Sequence, residues 1–149
     1  MDLTRVRRIL IYVAGPVRGK TQEIVDVNMK NAMAVAKRLW LKSIPAICPH
    51  ANTHLRYGQK MPIDGDESEV PWIIGDLVMV ERCNALLLCD NWPWSSGSCV
   101  ERYHAAVAAG IPVYVRESDL ITDIEAGVFG DEWLEAPVVP DWLLKRWRS

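Results

Sequence analysis

The sequence predicts an α/β fold: a three-layer sandwich in which helices cover both faces of a mainly parallel sheet of about four or five strands. Two observations lead to this prediction. Short apolar runs, each followed by Gly, Pro or polar residues, alternate with longer segments whose apolar residues recur at helical spacing. The length of 149 residues also suits one domain with a sizeable core. We therefore expect a single domain over residues 1–149.

These patterns predict the elements in chain order. Buried apolar runs predict four strands, at residues 9–14, 44–48, 85–89 and 113–115. Helical spacing predicts helices at residues 25–41, 71–82 and 97–109, the last of them closed by Gly110. A weak helix is expected after residue 119, and an apolar stripe at residues 142–147 predicts a docked terminal helix. Strands and helices that alternate in this way are typical of a flavodoxin-like sheet.

Composition and charge argue against several kinds of partner. The net charge of −2 offers no basic excess for nucleic acid or an anionic membrane. No apolar stretch approaches the ~20 residues of a membrane-spanning helix. The four cysteines form no C-x-x-C pair, which predicts free thiols and a cytoplasmic location. Cys48, His50 and His54 share no predicted face, so we expect no metal site.

Three polar turns are predicted to meet at one edge of the sheet. They follow the first three strands, at residues 15–21, from residue 49 onward and at residues 90–101. Ligands of parallel sheets bind beyond the carboxyl ends of the strands, where the strand order reverses, so these turns should face one crevice. The polar segment 49–69 is long enough to form a lid over it.

The turn after the third strand is the most informative segment. Its sequence, Ser95-Ser-Gly-Ser-Cys-Val-Glu101, places hydroxyls and free backbone N–H groups at a helix N-terminus, where anions bind readily. Ser95, Ser96, Gly97 and Ser98 would supply the donors, and Glu101 follows about one turn later. An anion cradle beside a carboxylate suits an enzyme that acts on a phosphorylated small molecule. A capped surface helix with a solvated glutamate is the alternative.

The turn after the first strand also fits a phosphate loop. Ala14-Gly-Pro-Val-Arg-Gly-Lys-Thr21 matches a relaxed form of that pattern, and Asp90 ends a strand as a magnesium-binding aspartate would. Two features disagree. Pro16 lacks an N–H that such a loop uses, and helical spacing becomes clear only near Val25, whereas a phosphate loop leads directly into its helix. A P-loop NTPase or kinase therefore stays an alternative.

The same segments resemble the nucleoside 2-deoxyribosyltransferase superfamily. Tyr12-Val-Ala-Gly-Pro-Val-Arg-Gly19 is similar to its first strand and loop, and Asp76-Leu to a later motif. The strongest likeness is Ser95-x-Gly-x-x-x-Glu101 with the following Ala105-Ala106 and Gly110-Ile-Pro-Val. Over residues 9–115 the chain most resembles the 2'-deoxynucleoside 5'-phosphate N-hydrolase branch and related small phage and bacterial domains of unassigned function.

The resemblance implies three catalytic residues. Glu101 would attack the anomeric carbon, Asp76 would protonate the leaving base, and Tyr12 would lie beside the nucleophile. The chemistry needs such groups, because cleavage of an N-glycosidic bond builds positive charge at the anomeric carbon while the base must gain a proton.

The resemblance also implies the groups that bind the substrate. Ser95 matches a position that is serine where a phosphate is recognised and aspartate in transferases of free nucleosides. His50 is similar to a histidine near the base. The residues that would lie along the nucleotide are Gly15, Val17, Arg18 and Gly19.

The sequence thus predicts hydrolysis of the N-glycosidic bond of a (deoxy)nucleoside 5'-monophosphate, without a cofactor. A nucleoside deoxyribosyltransferase and a non-catalytic nucleotide-binding module are further alternatives. Members of the resembled family complete their sites across a dimer contact, which implies a homodimer or higher homo-oligomer. The apolar turn at Trp92 and Trp94 is a candidate for that contact.

Overall fold

The computed structural model describes residues 4–52, 70–94 and 96–148. Its strands are β1 (Arg5–Arg7), β2 (Ile11–Ala14), β3 (Ala46–Ile47), β4 (Ala85–Leu88), β5 (Val113–Tyr114) and β6 (Trp133–Glu135). A parallel sheet has the order β3-β2-β4-β5, and β1 pairs with β6 in an antiparallel ribbon. The chain runs from β2 to β3 on one side and then to β4 on the other side of β2. The strand order therefore reverses between β2 and β4, as in a flavodoxin-like sheet.

Helices pack on both faces of this sheet. The α-helices are α1 (Gln22–Leu41), α2 (Val70–Glu81), α3 (Ser96–Tyr103), α4 (Glu117–Glu125) and α5 (Asp141–Arg148). A π-helix, His104–Ala109, continues α3, and two short 3₁₀ helices lie within the described ranges, at Pro49–Asn52 and Trp92–Trp94.

Alternation along the strands divides the core into two parts. Successive side chains of a strand point to opposite faces. Ile11 and Val13 pack with α1 and α4, whereas Tyr12 and Ala14 pack with α2 and the π-helix. The predicted three-layer α/β fold is confirmed.

Helix α1 begins three residues earlier than its apolar spacing indicates, at Gln22 instead of Val25. Thr21 is its N-cap, and the Thr21 hydroxyl accepts a hydrogen bond from the Ile24 N–H at 3.3 Å. The periodicity misses this first turn because Gln22 and Glu23 are polar and Ile24 is exposed, so the buried apolar face begins only at Val25.

The predicted helix over residues 97–109 is α-helical only to Tyr103. From His104 to Ala109 it becomes a π-helix, which ends at Gly110 in the left-handed conformation (φ 65°). A π segment holds one more residue per turn than the pattern assumes, and such segments are frequent at functional sites. Here it follows directly after the turn that carries Glu101.

The C-terminal part of the chain differs most from the prediction. The β1–β6 ribbon was not expected; the guanidinium groups of Arg5 and Arg7 lie 4.0 and 4.5 Å from the Trp133 ring centre. In α5, Trp142 is 62% exposed and Leu143 is 40% exposed, so the prediction that this helix docks is wrong for these side chains.

In the described ranges no helix is both long and apolar enough to span a membrane. The expected lid falls partly outside these ranges: residues 49–52 form a 3₁₀ helix, and residues 53–69 lie outside the described residues.

Candidate functional site

Helix α3 lies where the strand order reverses. It contacts both β2 and β4, the two central strands of the sheet. The loop after β2 leads to α1 on one face, and the loop after β4 leads to α3 on the other. Parallel sheets with this arrangement form their ligand crevice at the carboxyl ends of these strands. The predicted turns at residues 15–21 and 90–101 therefore flank one crevice, and Glu101 belongs to the helix beside it.

Three residues that the sequence singled out come together here from three different elements. Tyr12 is fully buried on β2, Asp76 is half-buried on α2, and Glu101 on α3 is only 6% exposed. The pKa of Glu101 is raised from its ordinary 4.5 to about 8. Burial is the main cause, the Tyr12 hydroxyl opposes the rise, and the nearby Asp76 carboxylate adds to it. Glu101 is therefore a buried carboxyl with a second carboxyl and a phenol as neighbours, rather than a solvated surface group.

The phenol of Tyr12 stays neutral at every physiological pH. Burial raises the pKa of Tyr12 far above its ordinary 10, and the carboxyls of Glu101 and Asp76 add to the rise because a phenolate would repel them. Tyr12 therefore lies beside Glu101 as a neutral phenol, which can donate a hydrogen bond but cannot act as a base.

Two buried polar atoms of this group lack a well-formed hydrogen bond. Among the described residues, neither Tyr12 Oη nor Glu101 Oε2 has a partner of acceptable geometry, although the two side chains influence each other's pKa. Unsatisfied buried oxygens cost stability, and a catalytic role is one of the reasons for which native proteins retain them. These two oxygens could form hydrogen bonds with a hydroxyl or a ring oxygen of a substrate.

The loop after β2 approaches its neighbours so closely that it needs glycine at two positions. A Cβ at Gly15 would lie 2.8 Å from Cys89 Sγ, and a Cβ at Gly19 would overlap the Ile24 side chain. The two glycines of the predicted nucleotide loop thus let the backbone pass close to β4 and α1.

His50 lies against the same loop. It is 1% exposed, and its Nε2 is 2.9 Å from the Pro16 carbonyl, which can only accept, so Nε2 carries the proton. Burial lowers the pKa of His50, although the Pro16 and Gly15 carbonyls oppose this. A neutral His50 leaves Nδ1 as a buried acceptor without a partner in the described part of the chain.

Asparagine side chains that the sequence analysis missed support this loop. Asn28, buried on α1, donates from Nδ2 to the carbonyls of Arg18 at 3.1 Å and Val17 at 3.4 Å. Asn91, in the turn after β4, donates in turn to Asn28 Oδ1 at 3.2 Å. The available signal was a carboxamide on the apolar face of a helix, four residues before the buried Ala32.

The predicted anion cradle is described only in part. Ser95 lies outside the described residues, and so does the side chain of Ser96, whose backbone begins α3. Gly97 is half-buried, and Ser98 is 1% exposed, three residues before Glu101 on the same helix. The helix N-terminus is thus where the sequence predicted it, with Ser98 and Glu101 on one face.

The phosphate-loop alternative gains one argument from the structure. Since α1 begins at Gln22, it follows Lys20 and Thr21 directly, and the expectation of a late helix is wrong. The Thr21 hydroxyl accepts the Ile24 N–H as a helix cap, and Pro16 still removes a donor from the loop.

The described cysteines and histidines form no metal site, and His54 lies outside the described residues. In the described ranges no three His, Cys, Asp or Glu side chains are grouped so that they could hold a metal ion. All four cysteines lie in the described ranges, and none of them forms a disulfide bond. Burial raises the pKa of Cys83 to about 11 and that of Cys89 to about 12, which keeps both as unreactive thiols.

Neither a scan against protein-family models nor a search of curated proteins gave a match for this chain. The resemblance carried by the motifs therefore stays a prediction. The chemistry of the residues gathered at the crevice is what supports a function.

Proposed function

We propose that this protein hydrolyses the N-glycosidic bond of a (deoxy)nucleoside 5'-monophosphate, giving free base and sugar phosphate. The observation that carries the proposal is the group of Tyr12, Asp76 and Glu101, drawn from three elements to the edge where parallel sheets bind ligands. A buried carboxyl with a strongly raised pKa, a second carboxyl nearby and a neutral phenol are the groups that glycosidic cleavage uses.

The two carboxyls suit a reaction that needs one proton and one negative charge. In the proposed reaction, Glu101 attacks C1' of the sugar as a carboxylate, Asp76 protonates the departing base, and water then hydrolyses the glycosyl ester on Glu101. Two neighbouring carboxylates repel each other, so the pair favours holding a single proton. Without substrate, that proton lies on Glu101 up to about pH 8. The reaction therefore begins when the proton is on Asp76 and the charge is on Glu101.

Substrate binding is assigned to the two loops of the crevice. The backbone around Gly15 and Gly19, with Val17 and Arg18, would lie along the nucleotide, with His50 behind it. The 5'-phosphate would sit at the N-terminus of α3, where unpaired N–H groups and the helix dipole favour an anion. This arrangement places the phosphate and Glu101 about one helical turn apart.

The activity is tested with a panel of nucleoside and deoxynucleoside 5'-monophosphates, with free base detected by chromatography. We expect base release from at least one monophosphate and a lower rate from the matching nucleoside. Glu101→Gln should abolish the release. No release from any monophosphate, or full activity in Glu101→Gln, would overturn the proposal.

The roles of the two carboxyls are separated by changing the leaving group. A nucleotide whose purine is methylated at N7 carries a cationic base, which leaves without protonation. Asp76→Asn should be slow on ordinary substrates and largely restored on this one, whereas Glu101→Gln should stay inactive on both. The reverse pattern would exchange the two roles.

We also propose that the protein forms a homodimer. Apolar side chains are exposed on α2 and on α3 with its π-helix, the neighbouring helices that carry Asp76 and Glu101. These side chains are Ile74, Val78, Val100, Tyr103 and Val107. A second copy of this chain would cover them and close the crevice. Sedimentation should give twice the 16.9 kDa mass of the chain, and Tyr103→Lys should shift it toward monomer; a monomer that is fully active would contradict the proposal.

Three alternatives predict different outcomes in the same assays. A P-loop NTPase, which the early start of α1 favours, would bind ATP in a magnesium-dependent way. A deoxyribosyltransferase would exchange the base when a second free base is added. A non-catalytic module would bind monophosphates without turnover.

A further inference from the structure

Three asparagine side chains form a hydrogen-bonded network beside the crevice. Asn28 on α1 donates to the carbonyls of Val17 and Arg18 in the loop after β2. Its Oδ1 accepts from Asn91 in the turn after β4, at 3.2 Å. Asn91 Oδ1 in turn accepts a hydrogen bond from Nδ2 of Asn31, an exposed residue of α1, at 3.4 Å. One helix thus joins the two loops that flank the crevice.

The orientations of the Asn28 and Asn91 amides follow from the backbone carbonyls of the loop after β2. Backbone carbonyls only accept hydrogen bonds, so the atom of Asn28 that faces Val17 and Arg18 is the nitrogen. The oxygen of Asn28 must then face a donor, which is the Asn91 nitrogen. Reversing either amide would bring oxygen against oxygen, so the arrangement has one low-energy state.

The two joined loops follow the adjacent strands β2 and β4, and they lead to helices on opposite faces of the sheet. Nothing in their sequence brings them together, because the chain leads from β2 to α1 and from β4 to α3. Asn28 is only 7% exposed, so its hydrogen bonds to the first loop are shielded from competing water. These bonds and the Asn91 contact therefore set the spacing between the two loops.

We propose that Asn28 is a positioning residue, which through Asn91 holds the loop at residues 15–19 and the turn leading to α3 at the separation the nucleotide requires. The part that concerns the nucleotide rests on the function proposed above. Asn28 does not touch the reacting atoms. It acts on substrate binding more than on the chemical step.

The kinetic test compares Asn28→Ala and Asn91→Ala with the control Asn84→Ala. The side chain of Asn84 also forms a hydrogen bond with the backbone, because its Oδ1 accepts the Leu10 N–H at 2.8 Å. This contact lies at the amino ends of β2 and β4, away from the crevice. Both crevice variants should raise KM for the monophosphate roughly tenfold and change kcat less than about threefold, because a misplaced loop weakens binding. Asn84→Ala should leave KM unchanged. Equal KM values in all three variants would overturn the proposal.

A double variant tests whether the two asparagines act together. If Asn28 works through Asn91, the rise in KM of the double variant should be clearly smaller than the product of the two single effects. Independent multiplication of the effects would show that the two side chains serve separate purposes, and would contradict the proposal.

A measurement without substrate separates this proposal from the proposed function. Backbone ¹⁵N order parameters of residues 17–19 and 89–91 should fall in Asn28→Ala, and those of residues 17–19 should also fall in Asn91→Ala, with no change in Asn84→Ala. Unchanged order parameters in an active protein would reject the loop connection alone. Lower order parameters in a protein that releases no base would reject the proposed function alone.

Discussion

Replacing Glu101 with glutamine should make the protein more stable at neutral pH while it abolishes base release. Glutamine has nearly the same shape as a protonated glutamate and cannot ionise. Burial raises the pKa of Glu101 from 4.5 to about 8. Between these two values the unfolded chain loses a proton that the folded chain keeps, so ionisation favours unfolding as the pH rises.

The size of the effect follows from the two pKa values. Each pH unit between 4.5 and about 8 costs the wild-type protein about 1.4 kcal/mol relative to the glutamine variant. The difference should be under about 1 kcal/mol at pH 5 and about 3 kcal/mol at pH 7. It should level off near 5 kcal/mol above pH 8, where both states are ionised.

Urea unfolding at pH 5, 7 and 9 measures this difference, and the seven tryptophans supply a fluorescence signal. Glu125→Gln, at an exposed carboxyl, controls for the loss of a glutamate without burial. The Glu101→Gln variant should gain stability with rising pH while the control does not. A Glu101→Gln variant no more stable than wild type at pH 7 and pH 9 would refute the reasoning, because Glu101 would then not be a buried, destabilised acid.

The remaining predictions concern the same crevice. Base release, as kcat/KM, should fall as the pH rises past about 8, because the carboxyl pair then loses the single proton that Asp76 must deliver to the base. Tyr12→Phe should move this fall to higher pH, since the Tyr12 hydroxyl lowers the pKa of Glu101; an unmoved profile would count against that contact. Gly15→Ala should lower the free energy of unfolding by about 1–3 kcal/mol, because the added Cβ would lie too close to Cys89 Sγ. Gly75→Ala, which has open space around its Cβ, should raise the free energy of unfolding by up to about 1 kcal/mol. Equal shifts of the two variants in urea denaturation would contradict this. Ser95→Asp should reduce the preference for monophosphate over nucleoside, because its charge repels a phosphate; an unchanged ratio of kcat/KM values would place the phosphate elsewhere.

The central sheet and the helices that cover it could be predicted from local sequence patterns. Apolar runs such as residues 85–89 report burial on both faces of a strand, and this local signal needs no knowledge of the partner strands. The rule that ligands bind where strand order reverses then brought the turns after β2 and β4 to one edge. The start of α1, the π-helix after α3 and the β1–β6 ribbon were missed, because side-chain periodicity carries little information about capping, helix type or pairing across the chain.

The protonation state of Glu101 could not be predicted from the sequence, because it depends on the folded environment. Its position on a helix could be read from the sequence, but a raised pKa depends on lost solvent and on charges brought from β2 and α2. Asn28 illustrates the same limit: its place on the apolar face of α1 was visible, whereas its partners in two loops were not. Desolvation and hydrogen-bond partnership are properties of the assembled environment, so residues distant in sequence set them only once the chain has folded.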